Sequence, residues 1–387
     1  MKVRLGDICS FQSGGTPSKS NPQFFGGSIP WITTVALNNG VIDSSNAVEW
    51  VTDRAIQESA AKIVPCESIL VGTRVGVGKV AINSVPISTS QDIVSLLGIN
   101  TDIWDKKYLC KFILANNTFI LSQARGATIK GIRIDTLSNL QVPVKALNEQ
   151  RRIAAVLDKV SDLIAKRRAQ LDKLDELVKA RFVEMFGNCK TNPKGWDAYC
   201  LEDIAEVGSS KRVFVEELKE EGIPFYRGTE VGALAEGLAI TPELFITEEH
   251  YKELCNMSGK PQKGDLLMPS ICPDGRIWLV DTDNPFYFKD GRVLWVHGIS
   301  DKFDPVFLLY TLKDRIMTDY SSIASGTTFA ELKIFALKKC NVFNVPFELQ
   351  KQFSSFVQSA RKSKLTIQQS LDKLKILKKA LMQEYFG

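Results

Sequence analysis

Apolar residues recur at alternating spacings of three and four along two long stretches of this chain, and the segment before each stretch follows a shorter period. From about Asn148 to Met185 the positions Ile153, Leu157, Val160, Ile164, Leu171, Leu174, Val178 and Met185 keep that spacing. Arg167 and Arg181 fill its two gaps, and the whole predicts one long amphipathic helix. Phe353, Val357, Ala360, Ile367, Leu371, Leu374, Leu381 and Tyr385 predict a second in the same phase, from about Glu348 to Phe386. Met1 to about Pro143 instead holds β-branched runs such as Trp31-Ile32-Thr33-Thr34-Val35, punctuated by Gly14-Gly15, Gly26-Gly27, Asn38-Asn39-Gly40 and Asn116-Asn117. Short helices are expected within it at Asp53 to Lys62 and Lys106 to Leu121, so the segment reads as an α+β module. Trp196 to about Val345 reads as a second one.

The two module-helix units are copies of each other. Leu171-Asp172-Lys173-Leu174 recurs as Leu371-Asp372-Lys373-Leu374, and Leu177, Lys179, Ala180, Glu184, Phe186 and Gly187 recur at the same offset of 200. Ten identities in seventeen ungapped positions make this a tandem duplication with an expected pseudo-twofold relation. Leu5-Gly6-Asp7-Ile8 answers to Leu201-Glu202-Asp203-Ile204, and Ile29-Pro30-Trp31 to Ile223-Pro224-Phe225. Ala124, Gly126, Thr128, Ile134 and Leu137 recur as Ala324, Gly326, Thr328, Ile334 and Leu337. Between these landmarks the halves diverge, as two related modules would if each recognised something different.

Breaks in the helical stripes suggest how the helices pair. Arg167 and Arg181 stand where the second stripe has Ile367 and Leu381, whereas Lys364 and Lys378 stand where the first has Ile164 and Val178. Polar residues in opposite heptad positions match the helices as unlike partners, and an intramolecular antiparallel coiled coil is expected. At ~1.5 Å per residue each helix spans roughly 50 Å, against ~34 Å for one turn of duplex DNA. The expected division is a first globular domain over 1–146, a helix over 147–187, a linker over 188–195, a second domain over 196–346 and a second helix over 347–387.

Composition changes this picture little. Hydrophobic residues make up 44% and charged residues 24% of the 387, ordinary for a globular protein, and the net charge of +5 permits a polyanionic partner without demanding one. The eight cysteines, Cys9, Cys66, Cys110, Cys189, Cys200, Cys255, Cys272 and Cys340, show no metal-ligand spacing to His250 or His297 and read as reduced, mostly buried thiols of a cytoplasmic protein. No stretch approaches the ~20 apolar residues of a membrane span, so neither membrane insertion nor secretion is expected.

Motifs that resemble catalytic ones fail in detail. Gly72 to Lys79 has five residues between its first glycine and Gly78-Lys79, and Val80 follows in place of Ser or Thr, so it reads as a hairpin tip rather than a phosphate loop. Asn21-Pro22-Gln23-Phe24 lacks the second proline of the adenine-methyltransferase motif, and no glycine-rich turn for S-adenosylmethionine accompanies it. Glu331-Leu332-Lys333 is nuclease-like, but its counterpart Gly131-Ile132-Arg133 has no acid, and a surface loop is expected. No nucleophile and base pair is evident, and both histidines read as structural. The pattern points to recognition.

The candidate nucleic-acid surface is formed by polar and basic loops that differ between the halves. In the first it comprises Ser13, Gly14, Gly15, Thr16, Ser18 and Lys19, a tip with Arg74 and Lys79, and Arg125, Lys130 and Arg133. In the second it comprises Ser209, Lys211, Arg212, Arg227, Arg276 and Lys333. Arginine and lysine neutralise phosphates or donate to guanine, and small polar residues let a backbone approach closely.

At these residues the chain resembles the DNA-specificity subunit of type I restriction-modification systems. Gly14-Gly15-Thr16-Pro17-Ser18, Asn21-Pro22, Phe25-Gly26-Gly27 and Ile29-Pro30-Trp31 resemble the opening of that family's target-recognition domain. Val142-Pro143 with Leu147-Asn148-Glu149-Gln150-Arg151-Arg152-Ile153-Ala154 resembles the start of its central helix. The second copy departs from both: Ser209-Ser210-Lys211 lacks the Gly-Gly-Thr-Pro signature, and Phe347 to Phe353 is a looser junction. The resemblance implies a protein without catalysis of its own and without a bound cofactor. Each target-recognition domain would read one half of a split duplex DNA target, with the helical pair fixing the gap. Two modification subunits would carry S-adenosylmethionine and methylate adenine, and restriction subunits would use ATP and Mg. A DNA methyltransferase and a coiled-coil scaffold for protein partners remain alternatives.

Overall fold

The computed structural model describes residues 1–126, 131–326 and 330–387. They divide into two compact units, Met1–Ala169 with Gln368–Gly387, and Gln170–Ile367.

The first unit begins with β1 (Lys2–Arg4), β2 (Ser10–Ser13), β3 (Phe25–Ile32), β4 (Val41–Ile42), β5 (Glu49–Val51), α1 (Asp53–Glu58) and β6 (Ile63–Val64). There follow β7 (Ile69–Gly72), β8 (Val80–Asn83), β9 (Ile87–Thr89), β10 (Ile93–Leu97), α2 (Lys106–Ala115), α3 (Asn117–Ser122), α4 (Ile134–Ser138) and β11 (Gln141–Pro143). Strands β2-β10-β7-β8-β4 form one sheet and β5-β3-β9-β6 another, while β1 pairs with β11. Strand β7 is buried along its whole length, as its unbroken apolar run Ile69-Leu70-Val71 requires. The helix expected to reach Lys62 stops at Glu58, because the Ser59 hydroxyl takes the Ala55 carbonyl and accepts from the Ala61 N–H (3.1 Å). The helix expected over Lys106 to Leu121 is broken at Asn116, whose side chain donates to the Phe112 carbonyl (2.9 Å).

The long helix α5 (Leu147–Phe186) leads to β12 (Ala198–Cys200), α6 (Leu201–Ile204), β13 (Glu206–Gly208), β14 (Ile223–Tyr226), α7 (Gly228–Ala235), β15 (Phe245–Ile246) and α8 (Glu248–Ser258). Then come β16 (Leu266–Pro269), β17 (Trp278–Leu279), β18 (Tyr287–Phe288), β19 (Val293–His297), α9 (Pro305–Ile323), β20 (Ala324–Ser325), β21 (Glu331–Leu332), α10 (Ile334–Lys338), β22 (Asn341–Phe343) and the long α11 (Phe347–Phe386). The second unit repeats the plan with β13-β19-β16-β17 as its main sheet. Counterparts pair alike: β3 runs parallel to β9 with Trp31 opposite Ser88, and β14 runs parallel to β18 with Phe225 opposite Tyr287. Glu331-Leu332, expected in a surface loop, is a short strand paired with β20.

Each core takes in segments of both long helices. In the first unit Ile153 and Leu157 of α5 are fully buried with Tyr108, Phe112 and, from the end of α11, Phe386. The Phe386 ring lies 5.2 Å from Tyr108 and 5.9 Å from Phe112. In the second unit Phe353 and Val357 of α11 are buried with Phe307 and, from the end of α5, Phe182 and Phe186. The start of one long helix thus meets the end of the other, as an antiparallel pair requires. Val160, Ile164, Val178, Ala360 and Leu371 are buried along the stripes, and Leu171, Leu174, Ile367, Leu374 and Leu381 are half-buried. The stripe cations are half-buried too, and Lys364 bonds Asp175 at 2.7 Å.

The junction before each long helix is a second repeated device. Gln150 is fully buried; it accepts from the Asp105 N–H (2.9 Å) and donates to the Ile103 and Lys145 carbonyls (both 2.9 Å). Gln350 does the same with the Asp304 N–H (2.8 Å) and the Lys302 and Val345 carbonyls (3.1 and 2.8 Å). A buried amide with three partners fixes each helix to the N-cap of α2 or α9. The second junction, loose in sequence, is therefore equivalent where it matters.

Candidate nucleic-acid interface

In the first domain the predicted loops gather at one end of the main sheet. The hairpin of β7 and β8 pairs Val71 with Val80, and Gly76 and Gly78 turn its tip at positive φ (69° and 78°), leaving Arg74 and Lys79 exposed. The Ile132 N–H donates to the Thr73 carbonyl (2.8 Å), and Arg125 bridges to Gly131, so the segments bearing Arg125 and Arg133 lie against the tip. The Thr73 N–H donates to the Asp92 carbonyl (2.8 Å), and the Arg74 guanidinium stands 4.0 Å from the Asp92 carboxylate. Lys19 lies 3.4 Å from Glu49. Among the described residues Lys79, Arg125 and Arg133 meet no carboxylate, and Lys130 falls outside those residues.

The glycine loop is anchored rather than open. The Gly14 N–H donates to the Ile93 carbonyl (3.0 Å) and the Gly15 N–H to that of Thr89 (2.9 Å), while the Trp31 indole donates to the Gly15 carbonyl (3.1 Å). A Cβ on Gly15 would stand 1.9 Å from the Ala60 oxygen, and one on Gly14 2.3 Å from that of Ser90. Neither glycine has room for a side chain; Gly15 is buried and Gly14 half-buried. Ser13, Thr16, Ser18 and Lys19 are the exposed members of that loop.

The second domain assembles equivalent loops with a different charge pattern. The Leu332 N–H donates to the Ser270 carbonyl (2.7 Å), as Ile132 does to Thr73. Ser209 is a latch: its hydroxyl donates to the Val293 carbonyl (2.7 Å) and accepts from the Gly291 N–H (2.9 Å). Arg212 pairs with Asp290 at 3.1 Å, Arg276 with Asp274 at 2.8 Å, and Lys333 with Glu331 at 3.3 Å. Arg292, which sequence reasoning missed, also pairs with Glu331. It stands 200 residues after Asp92, and that offset was the signal available for finding it. Lys211 is exposed, with its N–H on the Tyr287 hydroxyl (3.0 Å).

Arg227 is committed inside its own domain. Its guanidinium bonds Glu230 at 2.5 Å and Glu243 at 3.0 Å, and Glu230 holds its pKa above the ordinary range. Partial burial pushes the Glu230 carboxyl up, but hydrogen bonds from the Arg227 side chain and backbone outweigh it and carry the pKa down to about 2. Arg227 is therefore a clamp at the start of α7, with its side chain 41% exposed. His297, stacked 3.7 Å over Trp295, has the structural role expected of it.

A family model described as the type I restriction modification DNA specificity domain matches residues 1–174 and again 193–375. The chain is 27% identical over 399 residues to the type I restriction enzyme MjaIX specificity subunit of Methanocaldococcus jannaschii, covering 98% of this chain and 90% of that one. It is 32% identical over 166 residues to the EcoR124I/EcoR124II specificity subunit of Escherichia coli, covering 41% of this chain and 40% of that one. The crystal structure of a type I restriction-modification system S subunit from M. genitalium matches 100% of this chain and 96% of its own, with a TM-score of 0.54 at 16% identity. A chain from a structure on complex assembly and conformational transition of the type I restriction-modification system reaches 0.63 at 18% identity, covering 100% and 97%. At those identities the two structures share the fold.

Proposed function

Because the chain belongs to the type I restriction-modification DNA-specificity family, we propose that it reads a bipartite, gapped duplex target and directs partner subunits to it. The observation that carries this reading is the pair of equivalent loop clusters, built on one repeated scaffold and bearing unlike side chains. In the first domain Arg74, Lys79, Arg125 and Arg133 meet phosphates or guanine edges. In the second, Lys211 and the carboxylate-held Arg212, Arg292 and Lys333 do so, and Glu331 adds an acceptor for a cytosine or adenine amino group. The long helices fix the interval between half-sites, as a fixed separation of readers does in dimeric DNA binders. Modification subunits bring S-adenosylmethionine and methylate adenine; restriction subunits bring ATP and Mg. This chain supplies recognition.

The test is base-resolution mapping of N6-methyladenine in cells with the gene intact and deleted. Loss of one gapped, two-part motif on deletion is expected; an unchanged methylation map in cells that express the partner subunits would refute the reading.

A further inference from the structure

The cationic tip between β7 and β8 has an anion beside it. Asp92, just before β10, accepts from the Thr73 N–H and hydroxyl through its backbone carbonyl (2.8 and 3.1 Å), so its side chain takes no part in holding the tip. Among the described residues that carboxylate accepts no hydrogen bond, and its one ion pair is with the Arg74 guanidinium at 4.0 Å. Both side chains reach solvent, Arg74 at 53% exposure and Asp92 at 28%.

The scaffold does not require an acid there. In the second unit the Ser270 N–H donates in the same way to the Arg292 carbonyl (2.9 Å), so Arg292 occupies the position of Asp92 with the charge reversed. The register that sets Gly72 opposite Ile93 sets Pro269 opposite Val293, and Ile271 therefore stands at the position of Arg74. There the cation is closed on a carboxylate, because Arg292 donates to Glu331. In the first unit Gly131 replaces Glu331, and a Cβ on it would come 3.0 Å from the Arg74 Cγ and 3.1 Å from the Thr73 oxygen. The bare backbone of Gly131 makes room for the stem of Arg74, which leaves Arg74 and Asp92 side by side and not bonded.

A negative charge at this place opposes phosphate binding, since a carboxylate near a polyanion adds repulsion. Its use lies in a base contact. An ionised carboxylate only accepts, and a guanidinium only donates. The major-groove edge of a G·C pair offers the complement, with the guanine acceptors O6 and N7 beside the cytosine N4 donor. Adenine puts a donor and an acceptor on one base and suits an amide instead. Guanine O6 and cytosine N4 are hydrogen-bonded to each other at ~3 Å, close to the separation of the Arg74 and Asp92 charges.

Resting on the reading of this chain as a DNA-recognition subunit, we propose that Arg74 and Asp92 together read one G·C pair of the first domain's half-site. Arg74 donates to guanine, and Asp92 accepts from the cytosine amino group. Asp92 is the specificity-determining member, because it lowers general affinity for the duplex and excludes pairs without an amino group at that point.

The test maps N6-methyladenine in cells that express the partner subunits with the wild-type chain, Asp92→Ala, Asp92→Asn or Arg74→Ala, and measures duplex binding by each assembled complex. Both Asp92 variants should spread methylation to sites altered at one G·C pair of one half-motif, with the other half and the interval unchanged. Arg74→Ala should relax the same pair. With Asp92→Ala the preference for the intact pair should fall about tenfold, while affinity for an unrelated duplex stays level or rises about twofold. Absence of any gapped motif with the wild-type chain would refute the recognition role itself. A wild-type motif that both Asp92 variants leave unchanged, relax at an A·T pair or lose altogether would overturn the base contact alone, as would a tenfold fall in binding to the unrelated duplex. Relaxation of two different pairs by Asp92→Ala and Arg74→Ala would overturn their joint reading of one.

Discussion

The two domains share a scaffold but treat charge in opposite ways. In the first, Lys79, Arg125 and Arg133 face solvent with no carboxylate partner among the described residues, and Arg74 has only a 4.0 Å approach to Asp92. In the second, Arg212, Arg276, Arg292 and Lys333 each hold a carboxylate, and the position of Gly131 is taken by Glu331. Free cations attract phosphate over a distance and release counterions on contact. Paired cations are positioned in advance and carry less net charge, so they favour directed hydrogen bonds over general attraction. The repeated frame thus carries unlike charge at its loop ends.

The largest effect should fall on what the domains share. Phe386→Ala and Phe186→Ala each remove a buried ring from one core, and each should cost about 3–5 kcal/mol in denaturant unfolding. Similar losses confirm that the cores are equivalent; a loss confined to one would break the comparison.

A smaller effect should fall on the clamp in the second domain. Glu230→Gln leaves Arg227 without its main partner and should cost about 1–2 kcal/mol at neutral pH, since the pair is partly exposed. The folded pKa of Glu230, about 2, lies below its ordinary 4.5, so the carboxylate's contribution is present above that value and fades as pH falls toward 2. Unfolding curves of wild type and variant should converge across that window. A constant difference down to pH 3 would remove the ionised pair as its cause.

The smallest effect separates the two surfaces. Lys79→Ala or Arg133→Ala, in the chain assembled with its partner subunits, should flatten the dependence of log Kd on log salt by about 0.9 each. Lys333→Ala should change that slope by less than about half as much, because Glu331 already neutralises Lys333. Equal slopes for all three would erase the distinction.

Much of the frame was legible in the sequence because it rests on period and repetition. The stripes of α5 and α11 and the tip between β7 and β8 follow from local spacing. Phe186 and Phe386 were visible as identities in the repeat, but their burial against Phe307 and Phe112 depends on contacts more than a hundred residues away. The pairing of Arg212 with Asp290 and of Arg292 with Glu331, 78 and 39 residues apart, was likewise hidden by the fold. Gly14-Gly15 looked like an exposed loop because a glycine pair turns the chain and also lets two backbones touch, and only the fold distinguishes the two. The equivalence of Gln150 and Gln350 was masked by unlike neighbours, although the amide itself is retained.

The central claim is that one frame carries two independent readers. It is tested most directly by mapping N6-methyladenine in cells whose chain has residues 1–146 replaced by the matching span of a relative with a different target. The account predicts a new gapped motif in which one half changes while the other half and the interval stay as they were. A map in which both halves change together, or neither does, would contradict it.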